Sequence, residues 1–490
     1  MIKVDYANAR PLDVHRWSDY SEVNIFVNEI YNDLKSIKGN EAISKKLVKV
    51  ILLDLYVAWC ADHSLMLMFS RDNNAYKAKS RYNELHIGKK IIGIIDALVK
   101  DGVIGQKKGF KDRISGIGFQ SRLWATNKLK AHFETVKFSQ FVINRNEDWD
   151  PIILRDKDKK NKEYDDTVET NRMRSVLLDY IKILENTHID IYDLDTPVLT
   201  VGTKKRTMRL QINQQDKLVR RVFNNLRWDQ GGRFYGGWWQ RCPKDYRKKI
   251  KMDGIMTAEV DFSGLHIVLL YAKEGINYWA EVNEDPYQLH GINDIDPDIN
   301  IRAAAKLLLL TAINSDDRKK TFQAFRAQSK AGTPEKKMTN EQLASMLAAL
   351  SNKHAPIAHQ LASGAGIDLM YVDSRITEKL IEKFTYEHQC PMLTVHDSYI
   401  VPFGYDHILH QEMQAAFEQV TGVSHQVTKH TTEYFDVIEQ EPDPDNPVEL
   451  EHDHYAGPPS QRHLLELELF REFKGKPQRE DWVPDWTMVY

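Results

Sequence analysis

Cysteine is scarce in this chain of 490 residues. Its three cysteines, Cys60, Cys242 and Cys390, lie far apart and form no C-x-x-C pair. The odd number and the wide spacing argue against a disulfide framework and against a structural zinc site. A reducing, cytoplasmic environment fits this composition.

The chain also has no long apolar run that is free of charge. Its most apolar stretch, residues 46–69, is interrupted by Lys49, Asp54 and Asp62. Residues 1–17 are polar and contain no apolar signal core. These features predict no membrane span and no secretory signal.

The charge is small overall but unevenly distributed. The formal net charge of −3 does not indicate a nucleic-acid binder as a whole. Residues 200–260, however, carry fifteen Lys and Arg against five Asp and Glu, whereas residues 431–460 carry nine acidic residues and no Lys or Arg. The asymmetry predicts an anionic partner at the first segment and a solvated tail at the second.

The N-terminal third has helical spacing over residues 42–70 and then an amphipathic helix over residues 88–102, GKKIIGIIDALVKDG, with Gly102 as its C-cap. Two predicted strands, VIGQKKG and SRLWATNKL, follow around a charged, glycine-rich tip. This order resembles a winged helix-turn-helix DNA-binding domain over about residues 45–135. A small packing module with a solvated basic loop is the alternative.

This resemblance implies which cations would contact DNA. Lys89 and Lys90 would lie at the start of the recognition helix. Four further cations would lie on the wing near phosphates: Lys107, Lys108, Lys111 and Arg113.

A polar triplet interrupts an apolar run later in the chain. Residues 392–402, MLTVHDSYIVP, predict a buried strand with His396, Asp397 and Ser398 in its middle. Buried polar groups cost free energy unless they are hydrogen-bonded or take part in chemistry. Asp397 is either a metal ligand on a rigid strand or a residue at a hairpin tip.

Two further stretches carry charges at defined positions. In TAEVDFSGLHIVLLYA, an apolar strand ends at Asp261, and Gly264 lets the chain turn into a helix. In INIRAAAKLLLLTAIN, Arg302 and Lys306 are four residues apart and share one helix face, which suits a polyphosphate. If Asp261 and Asp397 meet in one sheet, they could bind the two Mg²⁺ ions that phosphoryl transfer uses.

Taken in order, these stretches resemble the polymerase superfamily of bacterial DNA polymerase I and the single-subunit phage and mitochondrial RNA polymerases, over about residues 200–440. DFSGLH and VHDSYIV are similar to the two palm motifs, RAAAKLLLLTAIN to the fingers helix, VDSRITEKLIEKF to the palm helix before the second motif, and DQGGRFY to the D-x-x-G-R pattern of the RNA polymerases. The resemblance implies an α+β fold with a right-hand palm and fingers, in which the palm sheet is antiparallel, beside the N-terminal winged helix.

The resemblance also assigns roles at the catalytic centre. Asp261 and Asp397 would bind Mg²⁺, with His396 near the primer end. Arg302 and Lys306 would hold the incoming nucleoside triphosphate.

Other residues are assigned to the nucleic acid. Arg233 would contact the duplex near the active site, and Asp229 would brace its loop. Arg241 lies beside Trp238 and Trp239, an arrangement that suits base stacking, although buried core tryptophans are an equal alternative.

Three positions depart from the family pattern. Asn314 and Ser315 stand where the fingers helix usually carries Tyr and Gly, and His266 stands where DNA polymerases carry Glu and RNA polymerases carry a small residue. Asn314 and His266 would still contact the nucleotide. The compact motif spacing favours a DNA polymerase, and the motif details favour an RNA polymerase or a primase-like enzyme. A catalytically inactive DNA-binding replication or regulatory protein is the third hypothesis.

These observations predict five segments: an N-terminal segment (1–40), a winged helix (41–140), a charged linker (141–171), a polymerase core with palm, fingers and a thumb-like part (172–440), and an acidic, Pro-rich tail (441–490). The predicted partners are a DNA template or duplex and nucleoside triphosphates.

Overall fold

The computed structural model mixes helices with largely antiparallel sheets, so the predicted α+β class is confirmed. None of the described helices is both long and apolar enough to cross a membrane. The structure describes residues 8–111, 116, 118–145, 148–203, 206–262, 264–290, 296–424 and 457–474.

The N-terminal part of the described chain forms a unit of helices around a four-stranded sheet, in which β1, β3, β7 and β4 lie side by side in that order. Its elements are β1 (Ala9–Pro11), β2 (Arg16–Trp17), α1 (Ser21–Asn32), α2 (Glu41–Ala61), β3 (Met66–Phe69), α3 (Lys90–Lys100), β4 (Ile104–Lys107), β5 (Phe110–Lys111), β6 (Gly118–Phe119), β7 (Ser121–Ala125), α4 (Asn127–Phe133) and β8 (Asn144–Arg145).

Residues 8–40 belong to this unit, so the predicted boundary at residue 40 is wrong. Strand β1 pairs in parallel with β3. Helix α1 buries Val23, Phe26 and Ile30 in the same core as α2. The repeat of apolar residues in this segment is weak, so the helix could not be predicted from it. Helix α1 is amphipathic, and α2 covers its apolar face.

The helix predicted over residues 42–70 is confirmed only as far as Ala61. Asp62 follows it, and its carboxylate accepts the backbone N–H and the hydroxyl of Ser64. This local turn stops the helix, and the apolar residues beyond it form β3 instead.

The helix predicted over residues 88–102 is confirmed as α3, and Gly102 follows it with a φ of +71°. The two strands predicted after it pair antiparallel as β4 and β7, with Ile104 opposite Ala125. The second strand was predicted to reach Leu129, but it ends at Ala125, and Asn127–Phe133 form helix α4. Arg113, near the tip of this hairpin, lies outside the described residues.

The rest of the described chain is built around a second, larger core. Its elements are β9 (Ile152–Arg155), β10 (Asn161–Lys162), α5 (Val168–Glu185), β11 (Ile189–Ile191), β12 (Val198–Thr203), β13 (Arg206–Gln211), β14 (Val219–Phe223), β15 (Gly231–Gly236), α6 (Lys244–Arg247), β16 (Ile250–Met252), β17 (Ile255–Asp261), α7 (Leu265–Lys273), α8 (Ile301–Ile313), α9 (Arg318–Gln328), α10 (Asn340–Lys353), α11 (Gly366–Glu382), β18 (Leu393–Val395), β19 (Ser398–Pro402), α12 (Asp406–Thr421) and α13 (Gln461–Phe473). Short 3-10 or π turns cover Asn73–Ala75, Gln140–Val142, Trp238–Arg241, Tyr278–Val282, Pro334–Lys337, Ala355–Gln360 and Lys383–Glu387.

The segment predicted as a charged linker, residues 141–171, is folded wherever the structure describes it, so that prediction is wrong. Strand β9 pairs in parallel with β14. Asp150 accepts hydrogen bonds from Arg81 and Arg174. The charges are used in ion pairs with partners distant in sequence, which composition alone does not reveal.

A five-stranded antiparallel sheet positions the candidate site. Its strand order is β11, β16, β17, β19 and β18, and α12 packs against β17 and β19. Alternation along β17 buries Ala258 and Val260 and leaves Glu259 and Asp261 only partly buried on the other face.

The predicted acidic tail, residues 441–490, is described only over residues 457–474. There the chain forms helix α13. The rings of Phe470 and Phe141 meet edge to face, with centroids 5.2 Å apart. The described part of the tail is therefore packed against the body of the protein.

Candidate active site

Two aspartates from distant parts of the sequence meet at one edge of the five-stranded sheet. Strand β17 ends at Asp261, which lies opposite Ser398 of β19. Asp397 immediately precedes β19, and its backbone carbonyl accepts the N–H of Phe262 at 3.2 Å. The antiparallel pairing of β17 with β19 thus brings both aspartates to one place.

His396 and Asp397 form the two-residue loop of the β18–β19 hairpin, in which Val395 lies opposite Ser398. The expectation of one continuous strand over residues 392–402 is therefore wrong, because His396 and Asp397 lie at a hairpin tip. This position leaves the prediction that Asp397 binds a metal open. Both loop residues are exposed. His396 has a φ of +54°, which is uncommon for a residue other than glycine but typical of the first central position of a tight hairpin turn.

Asp261 lies in surroundings that oppose its ionisation. Burial and the charges of Asp397 and Glu259 raise the pKa of Asp261 to about 7, although Lys244 and Lys306 act in the opposite direction. Its Oδ1 atom is buried and has no hydrogen-bond partner among the described residues. Clustered carboxylates of this kind repel one another unless a cation lies between them.

Glu259 is a third carboxylate near the pair, and sequence reasoning missed it. Its Oε1 atom accepts the hydroxyl of Ser398 at 2.6 Å, and Arg247 forms an ion pair with it at 2.8 Å. Glu259 and Asp261 are two residues apart on one strand and so share a face. That spacing is a signal from which Glu259 could have been found.

A chain of three side chains lies beside the aspartates. Arg233 donates through Nε to the buried Oδ2 of Asp373 at 2.6 Å, and through Nη2 to Nε2 of His266 at 2.8 Å. Because His266 accepts this bond, its ring is neutral and carries its proton on Nδ1. Burial and the charge of Arg233 lower the pKa of His266 to about 4, and burial raises the pKa of Asp373 to about 6.

These contacts define the surroundings of Arg233. Its guanidinium is largely buried and pairs with Asp373 inside the protein, while its predicted contact with the duplex stays a prediction. Asp373 was missed because its sequence context on α11 looks like an ordinary helix. Its complete burial became visible only in the fold.

Helix α8 exposes Arg302 and Lys306 on one face, as their spacing predicts. Both cations lie over the ring of Tyr287, at 5.7 and 5.3 Å from its centroid. Arg302 also forms an ion pair with Asp285. Burial and the charge of Asp397 raise the pKa of Tyr287 to about 12. The ring therefore lies within electrostatic range of Asp397 as well as of the two cations.

The contact of Tyr287 with the two cations could not be predicted from the sequence, because Tyr287 lies in the connection between α7 and α8. Asn314 forms the C-cap of α8, and its side chain donates to the carbonyl of Leu310 at 2.7 Å. Its side chain is exposed, so Asn314 is available at the end of the helix that carries the two cations.

The remaining predicted nucleic-acid contacts near the site have local partners. Asp229 pairs with Arg227, two residues earlier in the same exposed turn, and its predicted role in bracing this loop stays a prediction. Arg241 pairs with Asp216 at 2.7 Å. The adjacent Trp238 and Trp239 are completely buried. They are therefore core residues, and the prediction that they stack on bases is wrong.

The predicted DNA-contacting lysines that the structure describes are all exposed around α3 and the β4–β7 hairpin. Lys89 and Lys90 lie at the start of α3. Three more lie along the hairpin: Lys107, Lys108 and Lys111.

The donor set at the aspartates fits Mg²⁺. This ion is usually held by one or two carboxylates, and substrate phosphates and water complete its six oxygen ligands. Asp261 offers a buried oxygen that has no partner among the described residues, and Asp397 is exposed beside it.

No protein-family model matches the chain, and no curated protein matches it either. Its function is therefore inferred from its residues and their geometry.

Proposed function

We propose that the chain is a template-directed nucleotidyltransferase that acts on a DNA template, and that it makes DNA. A 3′-hydroxyl would attack the α-phosphate of a nucleoside triphosphate and release pyrophosphate. The observation that carries the proposal is the pairing of β17 with β19, which joins Asp261 to Asp397 within electrostatic reach of Lys306.

The residues of the site have distinct roles in this reaction. Asp261 and Asp397 would hold Mg²⁺, which would supply stabilisation of the charge that develops on the reacting phosphate. Lys306 and Arg302 orient the triphosphate as two cations on one helix face, and Arg302 exchanges Asp285 for a phosphate oxygen. Tyr287 fixes the spacing of these cations through its ring.

The larger architecture supports the same proposal. The five-stranded antiparallel sheet would be the palm, and α8 would belong to the fingers. In the N-terminal unit, α3 followed by the β4–β7 hairpin supports a winged helix, whose exposed lysines would contact phosphates.

His266 favours DNA over RNA as the product. It is the second residue of α7, five residues after Asp261, and Arg233 holds its neutral ring in one orientation. A bulky, fixed side chain at this position would exclude a ribose 2′-hydroxyl. An RNA product, which the D-x-x-G-R pattern favours, is the alternative.

The test is a primer-extension assay with the full chain, a primed DNA template, Mg²⁺, and either dNTPs or NTPs. Extension with dNTPs by the parent protein, and none by Asp397→Ala, is the expected result. Asp158→Asn is the matched control, because it removes a carboxylate charge from an exposed turn between β9 and β10. It should extend like the parent.

Two outcomes would revise the proposal. Product formed from NTPs alone would reassign the chain to RNA synthesis. Duplex binding without extension from either nucleotide set would contradict catalysis and leave a DNA-binding protein.

A further inference from the structure

A second group of metal-ligating side chains lies away from the aspartates of the candidate active site. His188 precedes the edge strand β11, Asp190 lies within that strand, and Glu466 lies on α13. One ligand atom from each residue lies within 4.8 Å of the others. His188 and Asp190 are completely buried.

The imidazole of His188 is the second observation that points to a ligand. It is 0% exposed, and neither ring nitrogen has a hydrogen-bond partner among the described residues. A buried imidazole without partners has lost its hydration without compensation. A bound cation would satisfy one nitrogen with a bond that no neighbouring side chain provides.

We propose that His188, Asp190 and Glu466 bind a transition-metal dication, Zn²⁺ or Mn²⁺, that joins α13 to the edge of the five-stranded sheet. One imidazole with two carboxylates is a donor set that suits these metals better than Mg²⁺, which prefers oxygen ligands alone. The expectation of no structural zinc site depended on cysteine spacing, and this site contains no cysteine.

The residues around the group resemble the outer shell of a metal centre. His463 shares a short contact with Oδ2 of Asp190, at 2.6 Å from its Nδ1 atom. Arg462 donates to both oxygens of Asp190 at 2.9 and 2.8 Å, and to Glu466 at 2.7 Å. Such contacts orient the ligating carboxylates. Oδ1 of Asp190 accepts only one of these bonds and so retains a lone pair for the metal.

The position of the group gives the metal a structural consequence. Phe470, also on α13, contacts the rings of His188 and Phe141. Phe141 lies in the connection between α4 and β8 of the N-terminal unit. The metal would thus fasten α13 where it spans both cores of the protein.

The test uses the full chain carrying Asp397→Asn, so that the pair at the sheet edge does not contribute a complete second site. The protein is stripped with EDTA and dialysed against Zn²⁺ or Mn²⁺ alone, and bound metal is counted by atomic emission. We expect about one Zn²⁺ per chain and a higher melting temperature with the metal than without it.

Adding Glu466→Gln or His188→Gln should remove both effects. Glu468→Gln, an exposed change on the same helix, should retain them. Glu466 is only partly buried, so we expect Glu466→Gln to fold. This variant therefore still tests the proposal if His188→Gln does not fold. A starting chain that binds neither Zn²⁺ nor Mn²⁺, or equal binding by that chain and by Glu466→Gln, would overturn the proposal.

Discussion

Two hairpins of this protein carry charged residues at or near their tips, and they differ in what lies beside them. The β4–β7 hairpin carries three lysines whose side chains face solvent, Lys107, Lys108 and Lys111. The β18–β19 hairpin places Asp397 against Asp261. Solvated charges act additively and are screened by salt, whereas charges clustered near a buried site control each other's ionisation.

Similar local structure would therefore serve different purposes at the two hairpins. At the first hairpin each cation would contribute a modest share of affinity for an anionic polymer. At the second, a single carboxylate would decide whether the reaction proceeds at all.

The largest effect is expected at the second hairpin. Asp261→Asn and Asp397→Asn should each lower the single-turnover rate of primer extension by about 10³-fold or more, and the double variant should be no slower than the worse single one. Affinity for duplex DNA, measured by fluorescence anisotropy, should change little. Additive losses in the double variant would mean that the two aspartates do not act as one unit.

An intermediate effect is expected from the residue that holds Arg233. Asp373→Asn should lower the extension rate roughly 10- to 100-fold, because Arg233 loses its charged partner and no longer orients His266. The proportion of ribonucleotide incorporated should rise at the same time, which a purely structural defect would not produce. Asp368→Asn, an exposed change on the same helix α11, is the control and should change neither value.

A smaller and salt-dependent effect is expected at the first hairpin. Changing Lys107, Lys108 and Lys111 to Ala together should weaken DNA binding and reduce the salt slope by about 0.9 for each lost phosphate contact. The extension rate at saturating DNA should stay the same. The matched control removes three exposed lysines from the β9–β10 turn: Lys157, Lys159 and Lys160. Equal weakening in the control would contradict a specific DNA-contacting role for the first hairpin.

The smallest effect is expected on stability. The pKa of Asp261 is raised to about 7 in the folded protein, from an ordinary value of 3.8, so the folded state retains a proton that the unfolded state loses. Stability from this group is present below pH 4 and is lost as the pH rises through 7. Without divalent metal, Asp261→Asn should therefore be more stable than the parent at pH 8, by on the order of 1–3 kcal/mol. Chemical denaturation of both proteins at pH 4 and at pH 8 measures the difference in their free energies of unfolding. A difference between parent and variant that is the same at both pH values would contradict this prediction.

The elements with strong periodicity could be predicted from the sequence, and those that depend on distant partners could not. The helix containing Arg302 and Lys306 and the helix ending before Gly102 were visible, because their apolar faces repeat at helical spacing. The strand β9 was not visible, because the charges around it are neutralised by Arg81 and Arg174, which lie far away in sequence.

The candidate site divides in the same way. Asp261, Asp397 and the cations of α8 lie in recognisable local patterns. Asp373 and Tyr287 do not, because their importance comes only from what the fold sets beside them: Arg233 for the first and the α8 cations for the second.

Metal-directed cleavage tests the central claim most directly. Fe²⁺ can replace Mg²⁺ at a site of this type, and with ascorbate and peroxide it cuts the backbone beside its ligands. We predict cuts next to both Asp261 and Asp397, suppressed by excess Mg²⁺ and lost together in Asp397→Asn. Cleavage at neither position, or at one that persists in Asp397→Asn, would contradict a shared metal site.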